Sequence, residues 1–225
     1  MQNGAFSGGD MSQLYRTYRS RVKERFGRPV LTVPINGGFS CPNRDGSLST
    51  EGCAFCDNGA FSSVAGDLSP PAEQLARAIA RTSGKFELFI AYLQPFTNTY
   101  ASVERLREIY EPLIARAGVV GLAVGTRPDC LSESVVSYLA DVASRTYLSV
   151  ELGLQCGDDA VLARVNRGHD FACFGDACAR LHRTGAEVVA HILLGLPGQT
   201  ESSVEQTAVK LARLPVEGVK IHQLM

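Results

Sequence analysis

Three cysteines within sixteen positions constrain this chain more than any other feature. Cys41, Cys53 and Cys56 lie on a stretch rich in Gly, Pro and Asn, directly after a strand-like run at Val30–Ile35. A structural zinc ion or a simple iron–sulfur cluster takes four protein ligands. Three cysteines leave one coordination position open, so this stretch predicts a metal site with a position free for chemistry.

Composition excludes several other functions. The 225 residues are 45% hydrophobic with a formal net charge of −1, which gives no support to a general nucleic-acid or membrane surface. No apolar run approaches the roughly 20 residues of a membrane helix, and the N-terminus lacks the apolar core of a signal peptide. We therefore expect a cytoplasmic protein. In a reducing compartment, its seven cysteines are better explained as ligands or buried thiols than as disulfides.

Strand-like runs alternate with amphipathic helices along the chain, which is typical of a parallel sheet with right-handed crossovers. The predicted strands are Val30–Ile35, Phe86–Leu93, Val119–Gly125, Tyr147–Leu154, Val188–Leu194 and Val219–Leu224. The predicted helices are 11–26, 70–81, 102–117, 132–144, 171–184 and 200–213, with a short turn near 160–166. We expect Ser69 to cap the second helix and Pro112 to kink or break the third.

Six such units favour an open (β/α)6 partial TIM barrel over a flat doubly wound sheet, although periodicity alone does not separate the two. Residues 1–27 are predicted to form an N-terminal tail and helix, and residues 28–225 the core domain. No helix follows the sixth strand, so we expect a chain truncated at that point, with a C-terminal portion missing.

Polar and Gly/Pro residues recur where the predicted strands end. They follow strand 1 as the cysteine stretch, strand 2 at Gln94–Thr97, strand 3 at Gly125–Asp129 and strand 4 at Gln155. In parallel α/β folds the chemistry lies at the carboxyl ends of the strands. These residues therefore predict one polar rim around the three cysteines.

Several motifs resemble a known family. Cys53-Ala-Phe-Cys56 resembles the C-x-aromatic-C half of the radical S-adenosylmethionine (SAM) signature, with Cys41 as the third cysteine. The usual signature has three residues between its first two cysteines. The eleven present here resemble the longer spacing found near the Elongator catalytic subunit. Five strings occur in the order typical of YhcC-like radical SAM proteins, namely GGFSCPNRDG, GTRPD, ELGLQ, RVNRGHDF and GLPGQT.

The resemblance implies a [4Fe-4S] cluster on Cys41, Cys53 and Cys56, with SAM bound to the fourth iron. An electron from the reduced cluster would cleave SAM to methionine and a 5′-deoxyadenosyl radical that takes a hydrogen atom from an unknown substrate. A low-potential donor resembling flavodoxin or ferredoxin is then implied as a partner. An RNA substrate is conceivable from the Elongator kinship, but the neutral charge does not support it.

The resemblance also implies which residues contact SAM. It assigns the Phe55 backbone to the adenine, Gln94 and Thr97 to the methionine amino group, and Gln155 to the ribose. It further implies SAM contacts at Arg167 and His191.

Glu151 shares a strand face with Gln155 and is expected in the same site, because a buried glutamate needs a partner.

Each assignment has a structural alternative. The cysteines could form a zinc knuckle, His191 could be a satisfied core histidine, and Arg127 could simply pair with Asp129. Lys220 and His222 share one face of strand 6 and could line a substrate pocket. Cys130, Cys173 and Cys178 are expected to be ordinary buried cysteines. Cys156 directly follows strand 4, so a radical-relay role is an alternative for it. The alternative function is a non-catalytic zinc or electron-transfer module.

Overall fold

The computed structural model describes residues 15–82 and 84–224 of the chain. In that part, six strands form one parallel sheet in the same order as in the sequence. The strands are β1 (Val30–Ile35), β2 (Leu88–Leu93), β3 (Val119–Thr126), β4 (Tyr147–Gln155), β5 (Glu187–Leu194) and β6 (Gly218–Gln223). β1 and β6 are the outer strands, and Pro34 lies on β1, where its missing N–H interrupts no ladder.

Eight helices connect or flank these strands within the described residues. They are α1 (Tyr18–Phe26), α2 (Asn58–Phe61), α3 (Pro71–Arg81), α4 (Val103–Ile114), α5 (Glu133–Arg145), α6 (Asp159–Arg164), α7 (Phe171–His182) and α8 (Glu201–Leu211). Side-chain oxygens of Ser102, Ser132, Asp170 and Thr200 accept hydrogen bonds from first-turn N–H groups, so α4, α5, α7 and α8 begin where polar caps permit.

A contact between distant strands shows that the sheet is curled. In a flat sheet β2 and β6 would lie about 19 Å apart, at about 4.8 Å per strand. The Lys220 ammonium on β6 nevertheless donates to the Tyr92 hydroxyl on β2 across 3.1 Å. The six strands therefore form a half-barrel, as predicted for an open (β/α)6 fold.

The two faces of the sheet have different partners. The main apolar core lies between the outer face and helices α3, α4, α5 and α7. A smaller cluster lies inside the curl, where Val22 of α1 packs with Ile90 and Tyr147. Arg21 of α1 also forms a two-pronged ion pair with Glu187, with N···O distances of 3.1 and 2.9 Å. α1 thus covers part of the inner face, and a boundary at residue 27 stays a prediction.

Two local predictions were wrong, and a third was wrong in part. Residues 15–17 are not helical because Thr17 is extended and caps α1, while residues 11–14 lie outside the described part. Ser69 does not cap α3; its hydroxyl bonds the Asp67 carboxylate, and the helix begins at Pro71 after Pro70. α4 continues through Pro112 and ends at Ile114, so the predicted break is absent, and a kink at this proline stays a prediction.

Candidate functional site

One cleft opens at the carboxyl ends of the strands. All ten predicted site residues line it, namely Cys41, Cys53, Phe55, Cys56, Gln94, Thr97, Glu151, Gln155, Arg167 and His191. They come from the cysteine loop, from the strand ends or the loops after them, and from the turn after α6. The structure therefore brings the predicted set together, while the role of each residue stays a prediction.

Backbone hydrogen bonds fold the cysteine loop back on itself. The Cys41 carbonyl accepts hydrogen bonds from the N–H groups of Arg44 and Asp45. The Cys56 N–H donates to Cys53 O across 2.9 Å. The Gly52 N–H donates to Asn43 O across 2.7 Å, which closes residues 44–51 into a separate loop. Together with the bond from the Ala54 N–H to Val165 O, these bonds hold the cysteines in place without regular secondary structure.

Cys53 is the most enclosed of the three cysteines. Its side chain is buried, whereas Cys41 and Cys56 are partly exposed. The Asn43 amide nitrogen lies 3.3 Å from Cys53 Sγ, and Arg167 Nη1 lies 3.5 Å from it. Burial raises the pKa of the Cys56 thiol, and nearby Arg44 opposes that shift.

Two buried guanidinium groups line the cleft beside the cysteines. Arg127 binds both oxygens of Asp129 at 2.9 and 2.8 Å and donates to Arg167 O at 2.9 Å. Arg167 donates to Gly153 O at 2.6 Å. Arg127 Nη1 and Arg167 Nε are nevertheless buried donors without a partner among the described residues. Unpaired buried donors are costly, so these two favour a negatively charged ligand in the cleft.

Gly153 makes room for Arg167. A Cβ at this position would lie 2.7 Å from Arg167 Nη2 and 2.7 Å from Gln155 Nε2. Glycine on the inner face of β4 therefore permits the arginine to reach the carbonyl beneath it.

A second group of polar side chains bonds to itself on the same inner face. We name it the Glu151 cluster, and its members are Tyr92, Glu151, His191 and Lys220. Glu151 Oε2 accepts from the Tyr92 hydroxyl at 2.6 Å, from His191 Nε2 at 2.6 Å and from Lys220 Nζ at 3.1 Å. Four strands thus contribute to one hydrogen-bonded group.

The charges in the Glu151 cluster follow from these bonds. Burial disfavours the carboxylate, but the bonds and charges of His191 and Lys220 outweigh it and lower the pKa of Glu151 to about 2. Burial, followed by the charge of Glu151, raises the pKa of the Tyr92 phenol. An ionised carboxylate only accepts hydrogen bonds, so His191 must carry a proton on Nε2.

Strained backbone is concentrated at the cleft. The three described non-glycine residues with positive φ are Phe96 at 64°, Gln155 at 75° and Asn166 at 52°. Phe96 and Gln155 line the cleft directly, and Asn166 precedes Arg167. Such conformations persist where the surroundings fix them, and they cluster at binding sites.

Sequence reasoning missed several residues of the cleft. The sequence pattern places Tyr92 only in an apolar strand and Arg44 only in the long spacing between cysteines. The same spacing contains Asn43, which contacts Cys53 Sγ without lining the cleft. Small inward residues on β3, Ala123 and Gly125, were the available signal, because they leave space for the Tyr92 ring to reach β4.

The structure also shows where the other predicted polar residues and cysteines lie. Arg127 does pair with Asp129, and Lys220 joins Glu151. The His222 ring lies 5.2 Å from the His191 ring, measured between centroids. Cys130, Cys156 and Cys178 are buried, Cys173 is partly exposed, and none of the four lines the cleft.

Within residues 15–82 and 84–224, no three His, Cys, Asp or Glu side chains converge closely enough to hold a single metal ion. A structural zinc site gathers four ligands around one atom. A [4Fe-4S] cluster distributes its ligands over several iron atoms, so its cysteines need not converge.

Helices of the described chain are all too short or too polar to cross a membrane.

Comparisons with known proteins identify the family of this chain. The family model for the radical SAM superfamily matches residues 41–211. The chain is 41% identical to the uncharacterised protein YtqA of Bacillus subtilis, and the match covers 100% of this chain and 70% of YtqA. It is 37% identical to protein YhcC of Escherichia coli K12, over 95% of this chain and 69% of YhcC.

A solved structure confirms the fold. Elp3 of the archaeon Methanocaldococcus infernus superposes with a TM-score of 0.62 at 16% sequence identity. The superposition covers 86% of this chain and 45% of the Elp3 chain, so this chain spans less than half of that structure. At this identity the likeness establishes the half-barrel fold alone.

The family match includes all three cysteines, the matches to YtqA and YhcC extend over nearly the whole chain, and the fold agrees with both. The chain therefore belongs to the radical SAM superfamily, whose members use a [4Fe-4S] cluster and S-adenosylmethionine, and within it to the relatives of YhcC and YtqA.

Proposed function

We propose that this protein binds a [4Fe-4S] cluster through Cys41, Cys53 and Cys56 and cleaves SAM reductively to act on a substrate that is still unidentified. One observation carries the proposal. The three cysteines line a single cleft together with two buried guanidinium groups that retain unpaired donors.

The charge of the cleft suits this cofactor. Three thiolates bound to a cluster bring negative charge, and Arg127 and Arg167 are the buried cations next to them. Their free N–H groups, Nη1 and Nε, are donors for the cluster or for the carboxylate of SAM. When bound, the reduced cluster supplies the electron that cleaves the sulfonium C–S bond and generates a 5′-deoxyadenosyl radical.

The chain's own residues hold and orient SAM in this proposal. Gln155, whose strained backbone aims its side chain from the end of β4, receives the ribose, and Arg167 binds the ribose or the carboxylate. The Phe55 backbone faces the adenine. Gln94 and Thr97 follow β2 and bind the methionine amino group. The Glu151 cluster forms the wall of the cleft next to Gln155, through Glu151 and His191.

A one-electron donor of low potential is needed as a partner, and we propose a flavodoxin- or ferredoxin-like protein. The reaction requires a reducing environment, so we propose a cytoplasmic location. Glu151 Oε2 already accepts from Tyr92, His191 and Lys220, and His191 donates its Nε2 proton to it, so the contribution of Glu151 and His191 to SAM binding is indirect in this proposal.

Anaerobic reconstitution tests the proposal. We expect about four iron and four sulfide per chain. With dithionite and SAM, the reconstituted protein should produce 5′-deoxyadenosine and methionine, which mass spectrometry resolves. Cys41→Ala, Cys53→Ala and Cys56→Ala should each abolish 5′-deoxyadenosine production. Cys173→Ala is the matched control, since this cysteine lies on α7 outside the cleft and should leave iron content and turnover unchanged.

Two results would contradict the proposal. One is a protein that holds its cluster but forms no 5′-deoxyadenosine in any reducing condition with SAM. The other is about one zinc per chain and no sulfide after anaerobic purification, which would establish the zinc module instead.

A further inference from the structure

Cys53 differs from the other two cysteines in what surrounds its sulfur. Among the described residues, two side chains donate to Cys53 Sγ, from Asn43 at 3.3 Å and from Arg167 at 3.5 Å. The Cys41 sulfur accepts no side-chain hydrogen bond from the same part of the chain, and the partly exposed Cys56 sulfur interacts with the Arg44 guanidinium instead. The three proposed cluster ligands are thus electrostatically unequal.

The orientation of the Asn43 amide is fixed by a second acceptor. Its Nδ2 also donates to Asn166 O across 2.5 Å, and a flipped amide would point its oxygen at that carbonyl. The nitrogen must therefore face Cys53 Sγ. Asn43 is 1% exposed, so water does not compete for this bond.

The partner of Asn43 is itself held in place. Asn166, in the left-handed region at φ 52°, donates from its side chain to Gly52 O at 2.8 Å. The Gly52 N–H returns to Asn43 O at 2.7 Å. Asn43, Gly52 and Asn166 thus form a closed clamp that joins the cysteine loop to the end of α6, directly before Arg167.

We propose that Asn43 is a positioning residue that raises the reduction potential of the cluster through its hydrogen bond to Cys53 Sγ. The inference rests on the proposed function, because it assumes that Cys53 ligates the cluster. Reduction adds negative charge to the cluster and its sulfurs, so an N–H donor stabilises the reduced form more than the oxidised form. The Arg167 guanidinium acts on the same sulfur in the same direction.

The consequence concerns how easily the protein is reduced. Without the Asn43 donor, the oxidised cluster is favoured at any given potential. We expect a fall of about tenfold in the ratio of reduced to oxidised cluster at the wild-type midpoint, which corresponds to about 59 mV for one electron.

A redox titration of the reconstituted holoprotein, followed by electron paramagnetic resonance without SAM, tests this directly. Asn43→Ala removes the donor, and Asn43→Asp replaces it with an acceptor of the same shape. The midpoint should become more negative in both, and more so in Asn43→Asp. Ser47→Ala is the matched control, because this residue lies in the same loop and bonds the Tyr100 hydroxyl instead of a sulfur.

A measurement on the unmutated protein covers the case in which the variants fail to hold a cluster. Holoprotein labelled with 15N-asparagine should show a nitrogen coupling to the reduced cluster in pulsed electron paramagnetic resonance. A cluster without this coupling, or an unchanged midpoint in fully loaded Asn43→Ala and Asn43→Asp, overturns the inference and leaves the proposed function intact. A protein that holds no iron or sulfide overturns both.

Discussion

The cysteine cleft and the Glu151 cluster occupy the same inner face of one sheet, yet their polar groups are satisfied in opposite ways. In the cleft, Arg127 and Arg167 keep buried donors unpaired, and the backbone at Phe96 and Gln155 is strained. In the Glu151 cluster, one carboxylate oxygen accepts from three donors. Unpaired donors and strain point to a ligand, whereas a self-bonded cluster points to a scaffold. If the proposed function holds, the unpaired donors are the groups that bind the cofactor, and the Glu151 cluster is the part of the same cleft that holds the half-barrel in its curled form.

Breaking the Glu151 cluster should give the largest effect on stability. Glu151→Leu leaves the Lys220 ammonium and the Tyr92 hydroxyl without their acceptor. The Lys220 ammonium is 37% exposed and can turn to water, whereas the Tyr92 hydroxyl and the His191 ring are largely buried, so we expect a loss of about 2–4 kcal/mol. Urea unfolding of the protein measures this as a lower midpoint with an unchanged slope.

Glu205→Leu on the exposed face of α8 is the control and should change stability by less than about 0.5 kcal/mol. The double variant Glu151→Leu with Tyr92→Phe should be more stable than Glu151→Leu alone, because no buried hydroxyl is left without its acceptor. A loss of less than about 1 kcal/mol in Glu151→Leu would show that the cluster is not a scaffold.

Lowering the pH should gradually remove the stabilisation that the ionised Glu151 carboxylate gives the folded state. The folded pKa of Glu151 is about 2 against an ordinary value of 4.5, so its stabilisation is complete above about pH 4.5. It is lost as the pH falls towards 2, and the total is about 3 kcal/mol at 1.36 kcal/mol per unit. The stability difference between wild type and Glu151→Gln, measured by urea unfolding from pH 6 to pH 3, should narrow with falling pH. Parallel curves would contradict the assignment.

Gly153→Ala should disturb the cleft with a smaller effect on stability. The added methyl group would lie 2.7 Å from Arg167 Nη2, so the guanidinium must leave the Gly153 carbonyl. We expect a loss of about 1–3 kcal/mol and weaker SAM binding to the reconstituted protein, measured by calorimetry. Gly66→Ala is the control, because a Cβ at that position has nothing within 4 Å. Equal SAM affinity in both variants would show that Arg167 does not contribute to SAM binding.

The strain at Gln155 should produce the smallest effect. Its side chain makes no hydrogen bond within the described residues, and its φ of 75° is unfavourable for any residue with a Cβ. Gln155→Gly should therefore be more stable than Gln155→Ala by about 1 kcal/mol, the reverse of the usual order in a strand. Thermal unfolding compares the pair, and both should bind SAM more weakly. If Ala were the more stable of the two, the strain would be absent.

Much of the fold was predictable because strand ends and caps are local signals. The predicted strands agree with β1–β6 to within two residues at each end, and Ser102, Ser132 and Thr200 lie where their helices begin. The apolar spacing predicts an N-terminal helix that begins too early, because Tyr15 fits the spacing. The helix in fact begins after Thr17, whose extended backbone caps it. The spacing of apolar residues alone does not show where a capping residue stops the helix.

The members of the cleft were predictable, but their partners were not. The strand-end rule and the family motifs selected ten residues that do line one cleft. The bond from Lys220 on β6 to Tyr92 on β2 depends on how tightly the sheet curls, which no stretch of sequence specifies. The bond from Asn43 to Cys53 depends on the clamp with Asn166, which is more than 120 positions away in the chain.

The closure of the cysteine loop also changes how the spacing between Cys41 and Cys53 should be counted. The hydrogen bond from Gly52 N to Asn43 O joins the two ends of residues 44–51 at 2.7 Å. If those eight residues are set aside, Pro42, Asn43 and Gly52 remain between Cys41 and Cys53. That is a spacing of three, the same as in the usual radical SAM signature. The long form of the motif is thus the short form with a surface loop added, so a change in loop length can alter what the mouth of the cleft contacts without moving its sulfurs.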